Sequence, residues 1–198
     1  MSKVAIQGNA SGTGTFTIEA PNSNTDRTLV LPDSAGTIAT TNGITMADNW
    51  RLTGAQVGSQ TPITAWERHT RSLVGLYGSS GMSVSSGIFT FPETGIYLVS
   101  FAGVVDEDGS GSDNAVTIEI RASDDNFSSN DDSVAYQQTQ LNSSNSRAGL
   151  NTQVVLTITD TSNDKIKFNL SSQLTSNKLF GGTSGDTIAV FIRLGDLA

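Results

Sequence analysis

The chain has 198 residues, with 19 acidic and 11 basic side chains, a formal net charge of −8 and no cysteine. Disulfide staples, thiolate metal centres and Cys-based redox chemistry are thereby excluded, and so few cations on so acidic a chain give no surface for a nucleic-acid backbone. No apolar run approaches the ~20 residues of a membrane-spanning helix, so membrane insertion is not expected.

Residues 1 to 45 contain three very short alternating pieces, Thr13 to Ile18, Arg27 to Leu31 and Gly36 to Ala39. Turn-forming stretches separate them, Ala20-Pro21-Asn22-Ser23-Asn24-Thr25-Asp26 and Pro32-Asp33-Ser34-Ala35-Gly36. Pieces of this size close no core alone and become stable only against copies of themselves or a larger assembly. Residues 1–45 therefore read as an attachment segment, and 46–198 as the folded head. The opening Met1-Ser2-Lys3-Val4-Ala5-Ile6 has no apolar stretch of the secretory type. Gly8 to Gly14 is glycine-rich but is followed by neither Lys nor a helix pattern, so it is no phosphate-binding loop.

The head alternates with period two. Clear strands are expected at Gly87 to Phe91, Gly95 to Val104, Ala115 to Ala122, Thr152 to Thr159, Lys165 to Ser171 and Thr187 to Leu194. Weaker ones fall at Ile63 to His69, Ser72 to Tyr77 and Ser133 to Leu141. Ser, Thr, Asn and Gly supply 84 of the 198 residues, a composition suited to short strands joined by tight turns. Some eight strands without intervening helices predict an all-β sandwich of the jelly-roll kind.

Most of these strands are apolar on one face only, as in Lys165 to Ser171, where Ile166, Phe168 and Leu170 alternate with Lys167 and Asn169. Two strands are apolar on both. Gly95 to Phe101 carries Tyr97, Val99 and Phe101 on one side and Ile96 and Leu98 on the other. Thr187 to Leu194 sets Ile188, Val190, Ile192 and Leu194 against Ala189 and Phe191. A sandwich buries one face per sheet, so the second apolar face needs another cover, and a further copy of the chain is the expected one. The expected interface residues are Tyr97, Phe101 and Phe191.

The whole net charge sits between Asp106 and Asp132, where nine acids meet one base, Arg121. Asp106, Asp108 and Asp113 are the candidate calcium ligands, although Thr117 stands where an EF-hand loop needs its bidentate Glu. A solvated rim is the expected role, with no metal and no cofactor. His69 is the lone histidine and lies among Glu67, Arg68 and Arg71. No Gly-x-Ser-x-Gly elbow occurs, so no catalytic residue is assigned and no enzyme is expected. Trp50 and Trp66 are expected in the core.

The run Gly87-Ile88-Phe89-Thr90-Phe91-Pro92-Glu93-Thr94-Gly95-Ile96-Tyr97-Leu98-Val99-Ser100-Phe101 resembles the central signature of the complement globular-head and tumour necrosis factor superfamily. Asp186 to Leu194 is similar to the last strand of that family. The resemblance covers about Trp50 to Ala198 and implies a ten-stranded jelly roll associating as a homotrimer. Gly12 to Ile18, Ala20-Pro21-Asn22, Asp26 to Asp33 and Gly36 to Ala39 resemble the opening of tailed-phage fibre proteins. The phrase Met46-Ala47-Asp48-Asn49-Trp50-Arg51-Leu52, with Trp66-Glu67-Arg68, is similar to marine and cyanobacterial phage proteins. Together these imply a short trimeric virion fibre, assembled in the host cytoplasm and released by lysis. Residues 1–45 would bind another virion protein, and the head would meet a host surface glycan or protein through residues that the pattern does not single out. A trimeric capsid decoration protein and a soluble glycan-binding adhesion module of bacterial origin are the alternatives.

Overall fold

The computed structural model describes residues 44–71, 73–107, 112–142, 146–173 and 175–197, together with 11–15, 17, 22–26 and 28. Two compact units divide the chain, Met1–Ala39 and Thr40–Ala198. Of the three short pieces expected before residue 40, residues 13–15 and 17 of the first are described and lie in no strand, while the other two, apart from residue 28, lie outside the described residues. The strands of the head all belong to the second unit.

The described residues contain strands and no helix. In chain order the strands are β1 (Met46–Leu52), β2 (Gln56–Val57), β3 (Trp66–Arg68), β4 (Leu76–Tyr77), β5 (Ser83–Ser85), β6 (Ile88–Thr90) and β7 (Gly95–Asp106). They continue as β8 (Asp113–Ser123), β9 (Asp132–Leu141), β10 (Arg147–Ile158), β11 (Lys165–Ser171), β12 (Lys178–Leu179) and β13 (Ile188–Gly195). The strands that the alternation of the head predicts are present, but Ile63 to His69 shrinks to Trp66–Arg68 and Ser72 to Tyr77 to Leu76–Tyr77. Alternation alone does not reveal β1, β2, β5 and β12; three of these are only two or three residues long, too short to show a period.

Two antiparallel sheets form a sandwich. The larger is built on β7, which pairs along one edge with β10 and along the other with β13 and β12. Next comes β1, whose far edge holds β3 and β4. The smaller sheet runs β5-β6-β11-β8-β9. Non-sequential neighbours such as β13 between β7 and β1 are the crossovers expected of a jelly roll.

The core lies between the sheets and is aromatic. Phe89 and Phe168 meet at 5.4 Å, Phe101 and Phe168 at 4.8 Å, and Phe89 and Phe191 at 5.1 Å between ring centroids. Trp66 stands edge-on to Phe101 at 5.9 Å and Trp50 to Phe89 at 5.3 Å. Each such pair adds ~1 kcal/mol beyond the area it buries. Both tryptophans are core residues, with Trp66 Nε1 donating to the Ile63 carbonyl at 3.1 Å.

A carboxylate shares this interior. β1 buries alternate positions Met46, Asp48, Trp50 and Leu52, and fully buried Asp48 interrupts an otherwise apolar face. It accepts from Arg68 Nε at 2.8 Å, Arg68 Nη2 at 3.0 Å and the Met82 N–H at 2.8 Å.

Candidate self-association face

The registers of the larger sheet define what its outer surface presents. One row reads Val155, Leu98, Ile192, Ala47 and Tyr77 across β10, β7, β13, β1 and β4. The next row toward one end pairs Thr157 with Ile96, and Leu194 also points outward. In the other direction come Gln153, Ser100, Val190 and Asn49, then Asn151, Ala102, Ile188 and Arg51. Apolar side chains thus fill the middle of the face, and an Arg51–Glu67 ion pair closes one rim. Beside Ala102, Gly149 and Ile188 the surface sinks into a shallow hollow of about 470 Å³.

Among the described residues, nothing covers this row. Val155 is 57% exposed and Tyr77 63%. The turn before β4 adds Leu73, which is 97% exposed, and Val74. An apolar tract running across five strands is larger than soluble monomers ordinarily leave in water.

The face differs from the one the sequence pattern favours. Tyr97, Phe101 and Phe191 are fully buried inside a single chain; they sit on the inner side of β7 and β13, out of a neighbour's reach. Their companions Ile96, Leu98, Val190 and Ile192 lie on the outer face. Alternation shows two apolar faces without saying which is inside. Ring volume does, because the large aromatics fill the space between the sheets.

The acidic segment also departs from a uniformly solvated rim. Asp106 and Glu107, at the end of β7, are buried. Asp106 Oδ2 lies 3.4 Å from Arg147 Nη2, while neither carboxylate oxygen of Glu107 has a hydrogen-bond partner among the described residues. Asp108 lies outside the described residues, and Asp113 begins β8 opposite Leu141. Among the described residues, no group of three or more His, Asp or Glu is arranged to share a metal ion. Nor is the segment left without bases from elsewhere: Asp131 accepts from Arg121 Nε and from Lys167 Nζ of β11, both at 2.6 Å. Burial opposes ionisation of Asp131, but these two cations hold its carboxyl below the usual range. In the loop after β8, Asp125 is kept ionised to well below its ordinary range by the hydroxyls of Ser129 and Ser123.

His69 is buried, not solvated, and its Nδ1 accepts from the Arg71 N–H at 3.3 Å. At the far end of β7, burial raises the Tyr97 phenol, the nearby Arg193 partly offsets this, and its O–H donates to the Glu93 carbonyl at 2.8 Å.

No family profile matches the sequence, and no curated protein is recognisably similar to it. The fold has clear neighbours. It matches the crystal structure of murine APRIL at pH 5.0 with a TM-score of 0.54 and 14% identity, over 77% of this chain and 100% of that one. It matches the structure of Eiger TNF from S. frugiperda with a TM-score of 0.55 and 11% identity, over 79% and 96% of the two chains. The head is a TNF-like jelly roll. At these identities the likeness concerns the fold alone, and the TNF-like sandwich arises here from the two sheets and the aromatic core described above.

Proposed function

We propose that the chain is a non-enzymatic virion structural protein, a short homotrimeric phage fibre with a TNF-like head. Three copies assemble through the outer face of the larger sheet, residues 1–45 attach to another virion protein, and the head is displayed toward a host surface. The observation that carries the assembly is the uncovered row Val155-Leu98-Ile192-Ala47-Tyr77. An apolar face on one copy that meets a different surface of the next is a heterologous contact, which closes into a ring when the rotation allows. The virion assignment is supported by the resemblance of the N-terminal pieces and of Met46 to Leu52 to tailed-phage proteins.

The tests are separable. Light scattering on the purified chain is expected to give three times the 20.7 kDa chain mass, and Leu98→Asp with Ile192→Asp to give a folded monomer. Phe191→Asp, by contrast, unfolds the chain, since that ring is in the core. A monomer mass for the unaltered chain overturns the assembly. Immunogold labelling of purified phage particles tests the location, and unlabelled particles overturn it.

A further inference from the structure

The smaller sheet turns a different surface to the outside from the larger one. Its registers set side chains in rows across β11, β8 and β9: Asn169, Glu119 and Tyr136 in one, Ser171, Thr117 and Gln138 in the next. Neighbouring strands lie about 4.8 Å apart, so the first row spans about 10 Å from amide to ring. Tyr136 is 66% exposed. Of the two exposed aromatic rings among the described residues, Tyr77 belongs to the self-association face, and Tyr136 stands among polar neighbours.

The charges of this face are paired with one another. Arg121 donates to Glu119 Oε1 at 2.9 Å and to Asp131 Oδ1 at 2.6 Å. Lys167 Nζ donates to Asp131 Oδ2 at 2.6 Å and rests 4.2 Å from the centre of the Phe127 ring. Two cations thus face two carboxylates, and this patch is neutral on a chain of net charge −8. Its hydrogen bonding is less complete. Among the described residues, Glu119 Oε2 has one contact, a long 3.4 Å from Asn169 Nδ2. Asn169 is buried, and its Oδ1 has no donor among the described residues. The chain ahead of β3 runs beside this residue, with the Gln60 and Ile63 N–H groups donating to the carbonyls of Leu170 and Phe168. Two under-supplied acceptors beside an open aromatic ring call for a ligand that brings O–H donors.

We infer that this row binds a neutral hexopyranose, one C–H face of the sugar stacked on Tyr136 and its hydroxyls bonded to Glu119 Oε2 and the Gln138 amide. The C–H groups of a sugar are polarised by the neighbouring oxygens and suit the negative face of an aromatic ring. Each hydroxyl both donates and accepts. A flat aromatic ligand would stack as well, but would leave the Glu119 carboxylate without a donor. An acidic sugar would set like charge against that carboxylate. The side chains stand on strands, which hold a site more firmly than loops do. The inference names a ligand for the displayed head; it rests on that reading for its purpose and on the row itself for its chemistry.

The test follows the backbone amides of the full chain by NMR during titration with the methyl glycosides of β-D-glucose, β-D-galactose and α-D-mannose. Glycerol and the methyl glycoside of N-acetylneuraminic acid are the controls. Saturable shifts confined to β8, β9 and β11 are expected for at least one neutral glycoside, with a midpoint on the order of 1 mM for so small a ligand. Added salt should leave that midpoint unchanged, since the ligand carries no charge. Tyr136→Ala should weaken it by about tenfold or more, while Tyr136→Phe preserves it; Glu119→Ala should weaken it without lowering the thermal midpoint of the chain. Equal shifts from glycerol, tighter binding of the acidic sugar, an unchanged midpoint in Tyr136→Ala, or no saturable shift with any of the three would overturn the inference. Because the titration uses no particles, unlabelled virions would overturn the virion assignment and leave the sugar site standing, and a failed titration would do the reverse.

Discussion

A carboxylate with no exposed surface needs a donor for every lone pair withdrawn from water, and Asp48 has three. Removing it strands a half-exposed guanidinium and a buried N–H. Asp48→Ala is therefore expected to lower the unfolding free energy by about 3 kcal/mol in urea denaturation; a loss comparable to an exposed-site substitution would show that Arg68 finds water instead. Asp125 acts in another way, because its partners are hydroxyls and amides of its own loop. Its folded carboxyl lies below the ordinary value of 3.8, so as the pH falls the unfolded chain takes up that proton first. The contribution is present above that ordinary value and is lost as pH falls through the lower folded one. Urea unfolding followed from about pH 5 down to about pH 2 should fall more steeply for the native chain than for Asp125→Asn. Parallel curves would show that the Asp125 cage adds nothing to the folded state.

At the scale of the element, the hairpin joining β5 to β6 shows how turn chemistry sets register. Its two loop residues, Ser86 and Gly87, have φ of 50° and 81°, the doubled left-handed conformation whose twist matches that of the flanking strands. A Cβ on Gly87 would also collide with the Ile63 carbonyl. Gly87→Ala should cost about 2 kcal/mol or more, while Ser86→Gly stays within roughly 0.5 kcal/mol, both read from thermal unfolding. A strand such as β11 was legible because Ile166, Phe168 and Leu170 alternate with the polar Lys167 and Asn169. The strand β1 was not, because Asp48 occupies a core position that only its partner Arg68, distant in sequence, makes tenable. The candidate face was half legible: alternation revealed that β7 and β13 are apolar on both sides, but not that the aromatic side is the interior.

For the whole molecule, the division into Met1–Ala39 and Thr40–Ala198 places all thirteen described strands in the second unit. A chain beginning at Ile44 is therefore expected to remain soluble, to keep the thermal midpoint of the full chain and to assemble as it does, while failing to enter phage particles. Aggregation of that shortened chain would show that the N-terminal residues complete the head. The strand order carries a further consequence for synthesis. β13 lies between β7 and β1, so two strands made early wait for one made after every other strand of the head. Until it emerges from the ribosome, the larger sheet is open through its middle, and the ring of Phe191 is missing from among Phe89 and Phe168. Folding is thereby tied to the completion of translation: a chain arrested before β13 leaves its aromatic interior uncovered, a substrate for chaperones or proteases.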